Sequence, residues 1–179
     1  LRPAGYRTLM AGKWHVGEER PHWPTDRGFE RYFGLISGAS NYFRLDAGRK
    51  MALNDQPYTP EGGDFYMTNA FTDHALKFVD ELGRGPDPFF LYLAFNAVHT
   101  PLHAKQAYAE RFGKLPIALN FYAAMVASLD ENLGRVLAAL PENTLVAFTS
   151  DNGPAKMPVE KWPDGWPKGT LNGSAGPLN

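Results

Sequence analysis

The sequence predicts an α/β fold built on a mostly parallel β-sheet. Three apolar runs, at residues 8–12, 89–95 and 145–149, have the length and composition of buried parallel strands. Two longer segments, 68–82 and 119–140, carry apolar residues at helical spacing and lie between the runs along the chain. Alternation of strands and helices is typical of α/β layers joined by right-handed crossovers.

The first predicted strand covers residues 6–14, and a long irregular stretch follows it. Residues 17–63 are rich in Gly, Pro, Arg and aromatic side chains and show neither helical nor alternating periodicity. A stretch of this kind is either functional or disordered, and disordered segments are poor in aromatic residues. We therefore expect an ordered loop that packs on a surface through its aromatic residues, which are Trp23, Phe29, Tyr32, Phe33, Tyr42 and Phe43.

The second half of the chain supplies the remaining predicted elements. Residues 68–82 form an amphipathic helix that Gly83 ends, and residues 89–97 form the second strand. A short helix is predicted near residues 107–112. The clearest helix is 119–140, which Pro141 closes and whose apolar stripe consists of Tyr122, Met125, Val126, Leu129, Leu133, Val136, Leu137 and Leu140. The third strand is predicted at residues 145–149.

Composition excludes several classes of function. The chain has 179 residues, enough for one domain with a core, and it shows no internal repeat or domain boundary. Lys and Arg number 18 against 19 Asp and Glu, so there is no basic excess to favour a nucleic-acid partner. There is no Cys, which excludes disulfides, zinc–thiolate sites and a cysteine nucleophile within these residues. No apolar stretch approaches the ~20 residues that span a bilayer.

Side chains capable of chemistry follow the first two predicted strands. Lys13 and His15 are two residues apart on an extended segment, which places both on one face. An ammonium beside an imidazole can hold an anion and move a proton, although an exposed lysine and a structural histidine fit the same pattern. His99 follows the second strand, where a lone histidine is often structural. Because ligands bind beyond the carboxyl ends of strands in α/β sheets, we expect these three residues at one edge, together with Asp151 and Asn152 after the third predicted strand.

Two oxygen-bearing side chains, Asp151 and Asn152, follow the third predicted strand. Carboxylate and amide oxygens are ligands that Ca²⁺ and Mg²⁺ prefer, and Gly153 permits a sharp turn after them. The same tripeptide also forms Asx turns and helix N-caps. Two oxygens do not complete a calcium shell of about 6–8 ligands, so further ligands would have to come from elsewhere.

Four segments together resemble the sulfatase family, most closely its bacterial arylsulfatase branch. GYRTLMAGKWHVG at residues 5–17 resembles the second family signature, and RGFE at 27–30 with FG at 33–34 resembles the loop after it. PFFLYL at 88–93, continued by HTPL at 99–102, resembles the strand that ends in a sulfate-contacting histidine. TSDNG at 149–153 resembles the metal-binding strand end. The resemblance covers most of the chain in the family's order.

The resemblance implies an alkaline-phosphatase-like α/β/α sandwich that hydrolyses sulfate esters, with a small molecule or a glycan as substrate. It implies a formylglycine nucleophile beside a divalent cation, usually Ca²⁺ or otherwise one such as Mg²⁺. By motif position, Lys13 would contact the sulfate and the formylglycine hydrate, and His15 would accept a proton from that hydrate. His99 would hydrogen-bond the sulfate or the leaving oxygen. Asp151 and Asn152 would be cation ligands.

Some elements of the family pattern are absent from these 179 residues. The nucleophile motif, Cys or Ser followed by x-Pro-x-Arg, does not occur, and neither does the pair of aspartates that supplies two further cation ligands. We expect both to precede Leu1. Residues 176–178 resemble the lead-in to a later lysine of the family, and Val98 stands where Pro is usual. We therefore expect residues 1–179 to be the central part of a sulfatase catalytic domain that is inactive alone.

Two other functions remain open at this point. Relatives with the same fold cleave phosphate or phosphonate esters, and Lys13, His15 and His99 suit either anion. A non-catalytic module that binds an anionic glycan through Lys13, His15 and the aromatic loop is the third hypothesis. The sequence decides neither the compartment nor the oligomeric state.

Overall fold

The computed structural model describes residues 1–153, 156–157 and 171–172. Its main element is a five-stranded sheet with the strand order β4-β3-β2-β1-β5. The strands are β1 (Arg7–Gly12), β2 (Arg31–Leu35), β3 (Met51–Leu53), β4 (Gln56–Tyr58) and β5 (Phe89–Ala94). Two further short strands, β6 (Lys156–Met157) and β7 (Leu171–Asn172), form a separate antiparallel pair.

The sheet is mixed, whereas the sequence predicted a mostly parallel one. β1 is central and pairs in parallel with β2 on one side and with β5 on the other. β2 pairs with β3 and β3 pairs with β4, both in antiparallel register, with a tight turn between β3 and β4. The parallel part therefore consists of β2, β1 and β5, and their carboxyl ends meet at one edge of the sheet.

Helices cover one face of this sheet. They are α1 (Met67–Leu82), α2 (Gln106–Ala109), which continues into a 3₁₀ turn at Glu110–Phe112, and α3 (Ile117–Ala139). The core between helices and sheet includes Leu9, Phe33, Leu35, Met51, Phe71, Phe78, Ala124 and Met125. The predicted helices at 68–82, 107–112 and 119–140 and the strands at 6–14 and 89–97 are confirmed within a few residues.

The opposite face is covered by the chain that follows β1, which contains a short 3₁₀ helix at Pro24–Arg27 but no α-helix. Met10, Trp23, Tyr32, Ile36 and Ala52 form a second apolar cluster there, with Trp14 and Phe29 packed against it. The register of β1 with β5 places Phe90 and Tyr92 on this same face, where they are 39% and 49% exposed. Within the described residues, β5 has a neighbouring strand on one side only.

The irregular stretch at residues 17–63 is ordered, as its aromatic content predicted, but it is not one loop. Its side chains Trp23, Tyr32, Phe33 and Tyr42 are buried. It also contains β2, β3 and β4, which the absence of periodicity did not reveal. Strands of three to five residues are too short to show an alternating pattern.

The prediction of a third strand at residues 145–149 is wrong for this structure. The segment is irregular, and no strand pairs with it among the described residues. Leu145 is 96% exposed and Phe148 is 76% exposed. An apolar run becomes a buried strand only when a neighbouring strand accepts its backbone hydrogen bonds and a packed layer covers its side chains.

Among the described residues, no single helix has the length and apolar character needed to cross a membrane. One bent pair, Gln106–Phe112 with Ile117–Ala139 at 120°, meets that test by length and composition only. Residues 176–178, which resemble the lead-in to a family lysine, lie outside the described part of the chain.

Candidate active site

Lys13 and His15 lie directly after β1 and are held by the two strands beside it. The Lys13 backbone N–H donates to the carbonyl oxygen of Ala94, at the end of β5, over 2.8 Å. The next two residues turn to β2: Trp14 N donates to Leu35 O at 2.8 Å, and His15 N donates to Ile36 O at 3.0 Å. The segment is therefore fixed between the carboxyl ends of β5 and β2, as the α/β pattern predicted.

Two glycines allow the backbones to approach closely just before Lys13. Gly12 has φ +122°, and a Cβ there would lie 2.5 Å from the carbonyl carbon of Ala94 and closer still to its oxygen. A Cβ at Gly34 would lie 2.7 Å from the carbonyl carbon of Gly12 and also overlap its oxygen. Only residues without a side chain fit at these positions, so the placement of Lys13 depends on both glycines.

His99 lies on the loop that leaves β5, five residues beyond Ala94. Its backbone N–H donates to Asn96 O at 2.7 Å and closes a tight turn. Its ring atom Nδ1 lies 2.6 Å from the carbonyl oxygen of Thr100. Because a carbonyl oxygen only accepts, Nδ1 carries the proton in this arrangement, and Nε2 is left available to accept a proton or to donate one when the ring is charged.

Buried tyrosines hold the backbone of the loops at this edge. The Tyr42 hydroxyl lies 2.8 Å from both Asn96 O and His99 O, so one donor serves both ends of the His99 turn. The Tyr66 hydroxyl donates to His103 O at 3.0 Å, and the Tyr32 hydroxyl donates to Gly12 O at 3.2 Å.

The protonation state of these hydroxyls suits their role as donors. Burial, with a smaller contribution from the nearby Tyr66, raises the pKa of Tyr42 well above its usual value. Burial also raises the pKa of Tyr66 to about 12. All of these phenols therefore keep their protons at neutral pH, and each remains a hydrogen-bond donor to its carbonyl.

The structure does not bring Asp151 and Asn152 into the sheet. Both are exposed and lie in a bend that follows the irregular segment 145–149. Within residues 1–153, 156–157 and 171–172, no group of three or more His, Cys, Asp or Glu side chains could hold a metal ion. The described residues alone do not form a cation site, and the role of Asp151 and Asn152 as ligands stays a prediction.

Lys13, His15 and His99 thus share the carboxyl edge of β1 and β5, and this edge has the chemistry to bind an oxyanion. Lys13 is half-buried, whereas His15 and His99 are exposed to solvent. An ammonium and two imidazoles on segments that leave one sheet edge are groups that can bind a tetrahedral anion and transfer protons to or from it. The sequence places these three residues after strand ends, and their role in a site stays a prediction; it did not indicate the hydrogen bonds of Tyr42 or the position of Gly38 under the His15 ring. Tyr42 was recognised only as part of an aromatic-rich stretch, and nothing in the sequence marks Gly38.

Comparison with known proteins identifies the same family as the motifs. The sulfatase family model matches residues 1–175. Arylsulfatase J of Mus musculus is 34% identical over 167 residues, which cover 86% of this chain and 28% of that protein. N-acetylgalactosamine-6-sulfatase of Mus musculus is 30% identical over 172 residues, which cover 87% of this chain and 32% of that protein. The chain spans about a third of the length of these relatives.

A solved structure agrees with the family and the fold. Ps i-CgsB in complex with k-i-k-neocarrahexaose is 32% identical, with a TM-score of 0.70 over 77% of this chain and 34% of that one. The predicted alkaline-phosphatase-like α/β fold is therefore confirmed, and the described residues form part of that domain. Since the family model covers nearly every residue and the motifs lie in the family's order, the chain belongs to the sulfatase family.

Proposed function

We propose that this chain is the central part of a sulfatase catalytic domain and that Lys13, His15 and His99 contact the sulfate group of the substrate. The observation that carries this proposal is the arrangement at the carboxyl edge of β1 and β5. Lys13 and His15, held by backbone hydrogen bonds to Ala94 and Ile36, come from one segment, and His99, in a turn closed on Asn96, comes from the loop after β5. That edge is where α/β folds bind ligands.

Each of the three side chains has a distinct task in this proposal. Lys13 supplies a fixed positive charge that attracts the sulfate oxygens and stabilises charge in the transition state. His99, in its charged form, uses Nε2 to donate a hydrogen bond to the sulfate or to the leaving oxygen, since Nδ1 donates to Thr100 O. His15 accepts a proton during release of the sulfate.

The nucleophile is proposed to lie outside these residues. The chain contains no Cys and no Ser in the family's nucleophile context. A formylglycine, which the resemblance implies, would supply the attacking oxygen when present. We propose that Asp151 and Asn152 contribute two oxygens to a Ca²⁺ or similar site and that other parts of the protein supply the remaining ligands.

A glycan sulfate ester is the proposed substrate class. The support is the likeness to Ps i-CgsB, which binds k-i-k-neocarrahexaose and is 32% identical to this chain. Two aromatic side chains near the proposed site, Trp14 and Phe43, are partly exposed. Aromatic faces of this kind can stack on a sugar ring at the border of a pocket.

The test is a set of alanine variants in the longer protein. We expect K13A, H15A and H99A each to lower kcat/KM for a sulfate ester by about 10²–10⁴-fold, the range for lost acid–base or charge stabilisation. K77A and H22A are the matched controls, because Lys77 lies on the exposed side of α1 and the His22 ring contacts Arg27. The 179 residues alone should give no turnover of an aryl sulfate above buffer.

Three results would overturn parts of the proposal. Variants of Lys13, His15 and His99 with the activity of the controls would remove these residues from the site. Faster cleavage of a matched phosphate ester than of the sulfate ester would assign the longer protein to phosphate chemistry. Binding of a sulfated glycan without turnover by the longer protein would identify a non-catalytic module.

A further inference from the structure

The imidazole of His15 lies directly against the main chain at Gly38. A Cβ built on Gly38 would lie 2.5 Å from Cε1 and 2.8 Å from Cδ2 of His15, and closer still to Nε2. These three ring atoms are the nearest heavy atoms to that position. Gly38 does not have the positive φ that favours glycine, so what the position requires is space for the ring rather than backbone freedom.

His15 needs a defined support because its ring makes no hydrogen bond within the part of the chain that the structure describes. The side chain is exposed to solvent, and its backbone has φ +52°, a conformation that non-glycine residues adopt rarely. The backbone is anchored by the bond from His15 N to Ile36 O. Gly38 is two residues beyond Ile36, so one short segment fixes both the backbone and the ring of His15.

The segment beneath the ring is itself held in place by a buried serine. Ser37 is fully buried, and its hydroxyl donates to Oε2 of Glu18 at 3.0 Å and accepts from the backbone N–H of Lys50 at 3.0 Å. Ile36 N also donates to Lys50 O at 2.8 Å. Gly38 is therefore fixed relative both to the chain that follows His15 and to the chain that leads into β3.

We propose that Gly38 is a positioning residue that sets the orientation of the His15 imidazole for proton transfer. This proposal rests on the proposed function for the catalytic task of His15, but the contact itself can be tested without activity. A methyl group at residue 38 would displace the ring and leave the backbone intact, because the nearest atoms it meets belong to a side chain that can rotate into solvent.

The experiment compares G38A with G63A in the longer protein. A Cβ at Gly63 would meet nothing within 4 Å, and its φ is also outside the positive region, so G63A is the matched control. We expect G38A to lose about 100-fold in kcat with little change in KM, the low end of what general acid–base catalysis contributes. The urea unfolding midpoint should equal that of G63A.

A second readout follows the ring itself. Trypsin cleaves after Lys13 and Arg27 but not at the Arg20-Pro21 bond, so His15 and His22 fall in one peptide. Modification by diethylpyrocarbonate, located by fragment-ion mass spectrometry, then gives the reactivity of His15 relative to His22. We expect this ratio to rise in G38A, where the ring is displaced into solvent, and to stay unchanged in G63A.

A double-mutant cycle with H15A tests the proposal even if G38A alone is unfolded. If the methyl group conflicts only with the imidazole, G38A should lower neither the unfolding midpoint nor kcat further in an H15A background. An equal loss of stability in both backgrounds would overturn the proposal, as would an unchanged kcat and an unchanged His15/His22 ratio in G38A. If H15A alone leaves kcat unchanged, the proposed function fails, while the modification ratio still decides whether Gly38 holds the ring.

Discussion

Replacing Tyr42 with phenylalanine removes a single oxygen atom that joins two parts of the candidate active site. The Tyr42 ring is fully buried, and its hydroxyl lies 2.8 Å from the carbonyl oxygens of both Asn96 and His99. The ring of phenylalanine fills the same space, so the change isolates the hydrogen bonds. Asn96 O keeps the bond from His99 N, whereas His99 O loses this donor in a partly buried position.

The expected cost follows from that geometry. A net hydrogen bond contributes about 0.5–1.5 kcal/mol, and a buried acceptor left unpaired costs about 1–3 kcal/mol. Because His99 O is only partly buried, we expect the free energy of unfolding to fall by about 1 kcal/mol. For a chain of this size, that corresponds to a decrease in Tm of about 2–4 °C.

Urea unfolding measures this loss, with Y58F as the control. Tyr58 packs edge-on against Phe33 at 5.0 Å, and its hydroxyl makes no hydrogen bond within the described residues. The midpoint of Y42F should fall with an unchanged m-value, and amide exchange at His99 should accelerate because its turn is loosened. If the free energies of unfolding of Y42F and Y58F agree within about 0.5 kcal/mol, the Tyr42 hydroxyl does not hold the His99 turn.

Two further predictions concern stability. Burial lowers the pKa of His74, so near that pKa the folded chain binds fewer protons than the unfolded chain. The free energy of unfolding is therefore highest above about pH 6.5 and decreases as the pH falls below it. H74F keeps a ring stacked on Phe33 and should flatten the pH dependence of the urea midpoint; an unchanged slope contradicts this. G12A should unfold the protein, because its Cβ overlaps the backbone of Ala94, whereas G134A, in open space on α3, should stabilise by about 1 kcal/mol. Circular dichroism and urea midpoints of both variants provide the check, and a stable G12A would show that the close approach is not required.

The elements that could be predicted from the sequence are those whose own pattern determines them. β1, α1, β5 and α3 carry long apolar periodicities, and the glycines and proline at their ends mark their limits. The position of Lys13, His15 and His99 at one edge followed from the rule for strand ends in α/β sheets. The sequence thus predicted which strand ends Lys13, His15 and His99 follow, because that depends mainly on element order, but it did not predict that Asp151 and Asn152 lie outside the sheet.

Features that depend on contacts between distant segments could not be predicted. The stripe predicted for α3 includes Val126 and Leu137, which are exposed, whereas the buried side of the helix includes Ser128 and Asn132. Asn132 is accommodated because its side-chain amide donates to Oδ1 of Asn69 on α1, at 3.0 Å. A polar pair of this kind is invisible to an argument based on hydrophobic spacing.

The prediction of a strand at residues 145–149 was wrong for a related reason. Its composition is that of a buried strand, but composition cannot supply the neighbouring strand that would accept its hydrogen bonds. The partners of Tyr42 and the space above Gly38 likewise depend on contacts between segments that are distant in sequence. These supporting contacts were therefore accessible only from the three-dimensional structure.

The position of β5 at the end of the sheet affects how the chain behaves in concentrated solution. Its outer backbone groups have no strand beside them within the described residues, and the apolar side chains Phe90 and Tyr92 lie next to them in contact with solvent. A bare strand of this kind is a template onto which an extended segment of another molecule can add, and the apolar run at 145–149 is such a segment. We therefore expect the isolated 179 residues to self-associate through this edge, and a further strand paired with β5 would prevent it.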